Sequence, residues 1–431
     1  MSVAPIAGRE PHTKRGIIVA AVAFAAAVLM IVIVFRLQKF VTNAGDPYDY
    51  ARIARGLVDH GFTKLTRRAA SLYPEFIAVV YRLGGNDMAV VLLQCLMHVG
   101  TCLLAFSLGN RLFNARTGLL VGFFCALHPM LLRYVPDLHM ETFLAFMCTL
   151  TIWTTVRFYD RPTVANGILV GVVGMCTTLT KGVMLPYLGV FGLISAVLAL
   201  RRRSMQEFIA VVAMFVAMAV VLAPWTYRNY QVTGGRFVLL APGASDSFLR
   251  GYIFTRWEFA TLQKPPFTDA ENESNDWFRK IARDAGTQWE LDEVVDEANN
   301  ARVVRHLIVT QPLDTARKIL VGLFTFWYEM TSLRNSLVPG SLAIVGWALA
   351  FVGLRRAHHE GRPSWLIWLP IVVMNVFVAI LIPLGRYSVP ILPCLMILAA
   401  FGVDTLLGRR TISELGSRWA QRFRLPQATG R

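Results

Sequence analysis

The chain alternates long apolar stretches with short polar connections. Ten stretches run for about 16 to 22 residues each, long enough for helices packed in a bundle to cross a bilayer. They cover residues 16–36, 88–109, 117–135, 142–158, 164–180, 183–200, 205–224, 338–354, 365–383 and 388–407. The pattern therefore predicts an all-α polytopic membrane protein with about ten transmembrane helices and an outer loop subdomain.

Two apolar stretches, 16–36 and 316–333, each allow more than one interpretation. The first, 16–36, is too long for a removable signal peptide and lacks a small-residue cleavage site, so we predict that it stays as a span. The stretch 316–333, ARKILVGLFTFWYEMTSL, would as a span move the basic cluster 355–362 to the side opposite the other basic clusters. We therefore expect a helix that lies in the membrane interface.

Composition supports a membrane location. The chain is 55% apolar and only 16% charged, which is more apolar surface than one soluble core can hide. The net charge of +16 does not indicate nucleic-acid binding, because the basic residues stand in short clusters between apolar stretches. These clusters are Lys14 with Arg15, Arg111 with Arg116, Arg157 with Arg161, 201–203, Arg355 with Arg356, and Arg409 with Arg410. They predict that both termini and the short loops are cytoplasmic.

The cysteines add no further chemistry. All six lie inside apolar stretches, and their spacing matches neither a metal site nor a secreted disulfide framework. We predict packing roles for them.

The charge pattern leaves two large loops on the outer face, about 37–86 and 225–315. Twelve of the 27 acidic residues lie within 246–297, which indicates a solvated and partly helical subdomain in the second loop. We expect one integral membrane domain, 1–408, followed by a basic cytoplasmic tail, 409–431.

The exit into the second loop has the residues of a membrane boundary. Pro224 is expected to end the span 205–224, because proline interrupts a helix. Trp225 and Tyr227 then supply interface-seeking rings, and Arg228 places a charge where water begins.

Cysteine labelling tests this topology. A cysteine introduced at Ser274 should react with a membrane-impermeant reagent added outside the cell. One introduced at Gly361 should react only after the membrane has been opened. Similar reactivity at the two positions would contradict the orientation.

The first outer loop carries candidate acidic groups. Asp46 followed by Pro47 is typical of a helix start, and the apolar stripe after them predicts a short helix on the membrane surface. Capping explains an aspartate there, but a carboxylate at the rim of the bilayer is also able to take a proton from an attacking hydroxyl. Asp49 is either a reciprocal cap or a second acid.

The second outer turn, RYVPDLHMETF, brings Asp137, His139 and Glu141 together. Acids at a helix start complement the helix dipole, which is the simpler explanation for Asp137. Glu141 lies closest to the apolar stretch, where an ionised group needs a partner or a purpose. His139 and Glu141 have the chemistry to ligate a divalent cation, but two ligands do not define a site, so we predict no metal and no other cofactor.

Three cations also fall at the predicted outer ends of spans. They are Lys181, Arg228 and Arg386, and Tyr387 follows the last of them. Each taken singly is explained as a snorkelling anchor. Together they oppose the inward bias of positive charge, which favours an anionic ligand such as a phosphate or diphosphate.

The ordered set of these motifs resembles the GT-C membrane glycosyltransferases. Within that superfamily it resembles the bacterial branch related to protein O-mannosyltransferases and lipid A aminoarabinose transferases, which implies the inner membrane of a bacterium. The likeness extends over about 40–405. It rests on GDPYDYARIARGL, SLYPEFIAVVYRLGG (71–85), LHMETF (138–143), LTKG (179–182), PWTYRNYQVTGGRF (224–237) and GRYSVPILP (385–393).

The resemblance implies a polyprenyl-phosphate-linked sugar donor and an acceptor lipid, glycan or protein that enters from the outer side. It further implies inversion at the anomeric carbon. Asp46 matches the family's first-loop acid, Glu141 the acid after the third span, and Lys181 and Arg386 the cations near the carrier phosphate. The remaining candidates for substrate binding are Asp49, Asp137, His139, Arg228 and Tyr387.

The sequence departs from the family in two places. Pro47 stands where the family commonly has a second acid, and Tyr73-Pro74-Glu75 replaces a proline-rich run. Two alternatives therefore stay open. One is a transporter or flippase of lipid-linked or anionic substrates, although transporters usually show paired repeats. The other is an oligosaccharide polymerase or ligase that uses diphosphate donors.

Overall fold

A computed structural model describes residues 12–37, 45–61, 72–232, 234–235, 237, 239–240, 244–255, 268–287, 297–330 and 333–408. These residues form α-helices and short 3-10 helices, and the described ranges contain no strand. The α-helices are α1 His12–Leu37, α2 Gly45–His60, α3 Leu72–Arg82, α4 Asp87–Leu112, α5 Ala115–Leu127, α6 Pro129–Arg133, α7 Met140–Asp160, α8 Val164–Thr180, α9 Leu185–Arg201, α10 Met205–Val232, α11 Ala244–Ile253, α12 Thr268–Asp284, α13 Glu297–Thr310, α14 Pro312–Thr325, α15 Leu333–His359, α16 Trp365–Ile380 and α17 Leu392–Gly408.

The predicted fold class is confirmed. Each predicted span overlaps a helix, and one of them, 117–135, covers two. Six described segments are long and apolar enough to cross a membrane: Thr13–Arg36, Asp87–Leu112, Gly182–Arg201, Met205–Gln231, Asn335–His359 and Gly385–Gly408. Shorter apolar helices, α5, α8 and α16, stand beside them. The protein is an integral membrane protein.

Close helix packing depends on glycine. In α8, a Cβ at Gly167 would lie 2.1 Å from the Ala210 carbonyl oxygen, and a Cβ at Gly171 would lie 2.3 Å from that of Met214. The small-xxx-small spacing of these glycines lets the backbones of α8 and α10 approach as no larger residue would permit. The contact fixes the position of the α8 C-terminus, which carries a candidate site residue.

Two helices differ from the prediction. The predicted span 117–135 is divided, because α5 ends before His128 and the short α6 begins at Pro129. Proline has no N–H and disfavours helical geometry in the residue before it, and the His128 ring instead accepts a hydrogen bond from the Met130 N–H at 3.2 Å. Conversely, α10 does not end at Pro224 but continues to Val232.

The two loops predicted to lie outside contain helices. In the first, α2 packs against α3 through the predicted stripe, with Ala54 and Leu57 buried and Tyr50 and Ile53 partly buried, and it also buries Ala51. In the second, α11, α12 and α13 share a small core that includes Phe248, Tyr252 and Phe278. The following helix, α14, has only 14 residues, about 21 Å of helix, and so is short of a bilayer.

Candidate active site

Four interruptions of the helical structure converge at one end of the bundle. They are the first turn of α2, the turn before α7, the break between α8 and α9, and the 3-10 helix Gly385–Ile391 that precedes α17. A glycine or proline stands at each of them: Pro47, Pro136, Gly182 and Gly385. Irregular backbone within a bundle of membrane helices is tolerated where it lines a cavity or lies within protein, so the convergence itself points to a site.

Arg386 lies at the centre of this region. Its Nη1 donates a hydrogen bond to Asp46 Oδ2 at 2.7 Å, and its Nε is 3.9 Å from Glu141 Oε1. The Arg386 Nε and the second oxygen of Glu141 are buried and have no hydrogen-bond partner. One guanidinium therefore stands between two carboxylates with part of its donor capacity unused.

Tyr387 and Lys181 extend the cluster. Arg386 Nη2 donates to the Tyr387 hydroxyl at 3.1 Å, and Lys181 Nζ lies 3.1 Å from the centre of the Tyr387 ring. Lys181 caps the C-terminus of α8, where the helix dipole favours a positive charge. The two cations thus share one tyrosine, whose hydroxyl contacts one and whose ring face contacts the other.

The Asp46 carboxyl is ionised at neutral pH. Burial by itself raises its pKa, but the charge and hydrogen bond of Arg386, helped by His139 and Lys181, outweigh burial and hold the pKa below its usual range. Its side chain is still 41% exposed. Asp46 is therefore a charged group that an incoming molecule can reach.

His139 and Asp137 form the neighbouring pair. His139 Nδ1 lies 2.8 Å from Asp137 Oδ2, and the Tyr134 ring packs edge-on against the imidazole. The Asp137 backbone carbonyl accepts a hydrogen bond from the Gln94 side chain at 2.7 Å. Burial lowers the pKa of His139, but the bond to Asp137 and the charge of Glu141 outweigh it, and the pKa is raised.

This raised pKa sets a pH dependence. Since the pKa of His139 is higher in the folded protein, the Asp137–His139 pair contributes fully below the ordinary histidine pKa of about 6.5. The contribution is lost as the pH rises through the folded-state pKa. Asp137→Asn should therefore lower the Tm more at pH 6 than at pH 9, as measured by thermal unfolding in detergent. An equal loss at both pH values would show that His139 does not change its charge between them.

Two candidates lie apart from the Arg386 cluster. Asp49 pairs with Arg52 at 3.0 Å on the exposed side of α2. Arg228 projects from α10 toward a different partner, since its guanidinium packs on the Trp225 ring, donates to Asn229 at 3.3 Å and faces the charge of Glu75. The structure therefore brings together Asp46, Asp137, His139, Glu141, Lys181, Arg386 and Tyr387, and places Asp49 and Arg228 elsewhere.

Glu75 is a charged residue that the sequence pattern did not single out. It lies in the first turn of α3, and neither oxygen of its buried side chain has a hydrogen-bond partner. Burial raises the pKa of Glu75 to about 7 against the opposing charge of Arg228. An acidic residue within the apolar run LYPEFIAVV was the available signal, because such a residue rarely enters an apolar face without a partner.

The described residues contain no group of three His, Cys, Asp or Glu side chains arranged to hold a metal ion. The Arg386 cluster holds a guanidinium, an ammonium and a phenol beside two carboxylates.

Residues 70–227 match the dolichyl-phosphate-mannose-protein mannosyltransferase family. Among solved structures, the fold is similar to the archaeal oligosaccharyltransferase AglB from Archaeoglobus fulgidus, in complex with an inhibitory peptide and a dolichol-phosphate. The TM-score is 0.56 with 13% identity, over 94% of this chain and 51% of that one. ArnT from Cupriavidus metallidurans, bound to undecaprenyl phosphate, matches at TM-score 0.41 and 16% identity, over 91% and 78% of the two chains. No curated protein matches in sequence.

The family match covers less than half of this chain, and the likeness to the archaeal enzyme is one of fold. The chain spans about half the length of the archaeal enzyme, 51% of it.

Proposed function

We propose that this protein transfers a sugar from a polyprenyl-phosphate-linked donor to an acceptor at the outer face of the membrane, with inversion at the anomeric carbon. The observation that carries the proposal is the contact between Asp46 and Arg386, which are 340 residues apart and pair at 2.7 Å. The pair brings a candidate base next to a candidate phosphate ligand.

The comparisons support a lipid-phosphate donor. The description of the matched family names dolichyl-phosphate-mannose, a sugar joined to a lipid through one phosphate. The archaeal enzyme of similar fold is in complex with a dolichol-phosphate. A guanidinium and an ammonium beside one another are the groups that suit such a phosphate.

The chemistry balances with the residues present. Asp46 accepts the proton of the acceptor hydroxyl, whose oxygen attacks the anomeric carbon on the face opposite the phosphate. The bond from the anomeric carbon to the phosphate oxygen breaks, and its electron pair leaves with the lipid phosphate. Arg386 and Lys181 stabilise the charge that develops there. Attack from the opposite face inverts the configuration.

Donor binding would also change Asp46. Without a ligand, Arg386 pairs with Asp46 and holds the carboxyl pKa low. A phosphate that takes up the guanidinium would weaken this pairing, and the pKa of Asp46 would then rise. The carboxylate becomes a stronger base when the donor is in place.

The other polar groups have supporting roles in this proposal. Glu141 orients Arg386 from the side opposite Asp46, and Tyr387 holds both cations. His139 and Asp137 bind hydroxyl groups of the sugar or the acceptor. Asp49 and Arg228 lie farther out, where they would meet the acceptor or the lipid carrier. The proposal gives no metal or other cofactor a role.

A flippase and a transferase are separated by reconstitution. Protein in liposomes is given a synthetic polyprenyl-phosphate sugar together with a membrane extract as the source of acceptor. Mass spectrometry then measures loss of the sugar, and a diphosphate-linked donor serves as the matched control. We expect consumption of the monophosphate donor only. Movement of intact lipid across the bilayer without loss of sugar would favour a flippase, and consumption of the diphosphate donor would favour a polymerase or ligase.

A further inference from the structure

Lys318 is a buried cation outside the Arg386 cluster. It projects from α14, and only 1% of its surface is exposed. Its ammonium donates to the backbone carbonyl of Leu381 at 3.0 Å, to that of Ile380, and to that of Ala379 at 3.5 Å. These carbonyls end α16, where a helix has acceptors without internal partners and its dipole favours a cation.

The outer helices surround the same lysine. Lys318 Nζ lies 4.2 Å from the ring centre of Phe248 and 5.6 Å from that of Tyr252, both on α11. The Tyr252 hydroxyl is hydrogen-bonded to Thr315 of α14 at 2.9 Å. A Cβ at Gly251 would lie 2.0 Å from the Leu381 oxygen, so the backbone of α11 also reaches the end of α16.

The chain beyond Leu381 is held a second time before it reaches Arg386. The Gly385 N–H donates to the carbonyl oxygen of Glu329 at 2.6 Å. A Cβ at Gly385 would lie 2.8 Å from that same oxygen, so the two backbones are in direct contact. The short segment 381–385 is therefore fixed at its start by Lys318 and at its end by Glu329, and Arg386 follows at once.

A buried ammonium needs compensation. Among the described residues no carboxylate pairs with Lys318, and burial lowers its pKa to about 7. An apolar side chain would fill the space without the cost of desolvation. The compensation comes from the three carbonyls and the two rings, which are the groups that tie α11 and α14 to the end of α16.

We propose that Lys318 is a positioning residue for Arg386, which anchors the segment 381–385 to the outer helices and so sets where the guanidinium meets the donor phosphate. The inference rests on the proposed function for its effect on catalysis, but the anchoring itself is independent of the reaction. This anchoring makes the outer subdomain, through α11, a structural support of the Arg386 cluster.

Hydrogen–deuterium exchange tests the anchoring without any substrate. The variants are Lys318→Met, which keeps the length of the side chain but removes its donors, and Lys280→Met, an exposed lysine of α12, as the matched control. With Lys318→Met, exchange at the amides of Gly385 to Ser388 should become about tenfold faster. The cause is a small loss of local stability, because a less stable segment opens more often. Lys280→Met should exchange as wild type does. Unchanged exchange at these amides in Lys318→Met would overturn the inference.

A milder variant provides a second test in case Lys318→Met does not fold. Phe248→Leu keeps apolar volume but removes the ring beside the ammonium, and it should raise exchange at the same amides by a smaller factor. If Lys318→Met does not fold, unchanged exchange at these amides in Phe248→Leu would overturn the inference in its place.

Kinetics then test the route through Arg386. Lys318→Met should lower turnover of the polyprenyl-phosphate sugar by about ten- to a hundredfold, since a displacement of about 1 Å at a reacting group can have that effect. Combined with Arg386→Ala, it should add little further loss, because both changes act on one contact. Fully additive losses would show that Lys318 acts elsewhere. If exchange rises but wild type consumes no donor, the anchoring stands and the proposed reaction fails.

Discussion

Asp46→Asn should leave a folded protein whose turnover has fallen by about two orders of magnitude or more, the usual scale for loss of a general base. Asparagine has nearly the same size and still accepts a hydrogen bond from Arg386 through its amide oxygen, so the contact at 2.7 Å can persist in weaker form. What disappears is the negative charge that takes the proton. The measurement is steady-state turnover of a synthetic polyprenyl-phosphate sugar in detergent.

The matched control is Asp59→Asn. Asp59 lies on the same helix as Asp46, is exposed and stands away from the Arg386 cluster, so its variant should behave as wild type. Full activity of Asp46→Asn would show that Asp46 serves only the helix start, and the base would then have to be Glu141 or Asp137.

Arg386→Ala should have the second large effect. Removal of one preorganised donor to a developing charge typically lowers kcat by about 100- to 1,000-fold, and the apparent donor affinity should fall with it. The change also leaves Asp46 and Glu141 without the cation between them. In the wild type, Arg386 chiefly holds the pKa of Asp46 low, so this pKa should rise in the variant. The residual activity should then require a higher pH, because Asp46 acts as a base only when it is ionised.

Arg386→Lys should retain part of the function, because lysine keeps the charge but not the fork that contacts two phosphate oxygens. Arg279→Ala, at an exposed arginine of α12 paired with Asp276, is the control for loss of an arginine. A titration with the lipid donor at fixed acceptor concentration separates the cases. Unchanged donor dependence in a folded Arg386→Ala protein would move the phosphate site to Lys181 or Arg228.

The helices could be predicted because their cause is local. An apolar stretch long enough to cross the bilayer leaves its backbone no option other than a helix, and the short α2 follows from Pro47 and its stripe of small apolar residues. Where a local rule competed with the surroundings, prediction was weaker. Pro129 divides the span 117–135, which was predicted as one helix, whereas α10 continues to Val232 through Pro224, which was expected to end it.

The site could be predicted as a set of residues but not as an arrangement. The opposing distribution of cations marked Lys181, Arg386 and Arg228 alike, yet Arg228 packs on the Trp225 ring and faces the charge of Glu75. The pairing of Asp46 with Arg386 depends on how the start of α2 meets the 3-10 helix before α17, over a separation of 340 residues that carries no local signal.

The position of Lys318 likewise could not be predicted from the sequence. On the sequence it is one basic residue in an amphipathic stretch, for which a solvated face is the ordinary explanation. Its role becomes visible only when α14 lies against the end of α16 and the rings of α11 close over the ammonium. A buried cation of this kind is a tertiary feature, because its partners are carbonyls that every sequence contains.

The most direct test of the central claim is ³¹P NMR of a purified, reconstituted protein with a polyprenyl-phosphate sugar and a membrane extract as acceptor. The proposed reaction converts the phosphodiester of the donor into the phosphomonoester of free polyprenyl phosphate, and the two have separate resonances. We predict that wild type produces the phosphomonoester in step with glycosylation of the acceptor, and that Asp46→Asn at equal concentration produces almost none. A phosphodiester signal that stays unchanged with folded wild-type protein, or that converts equally fast with Asp46→Asn, would contradict the account.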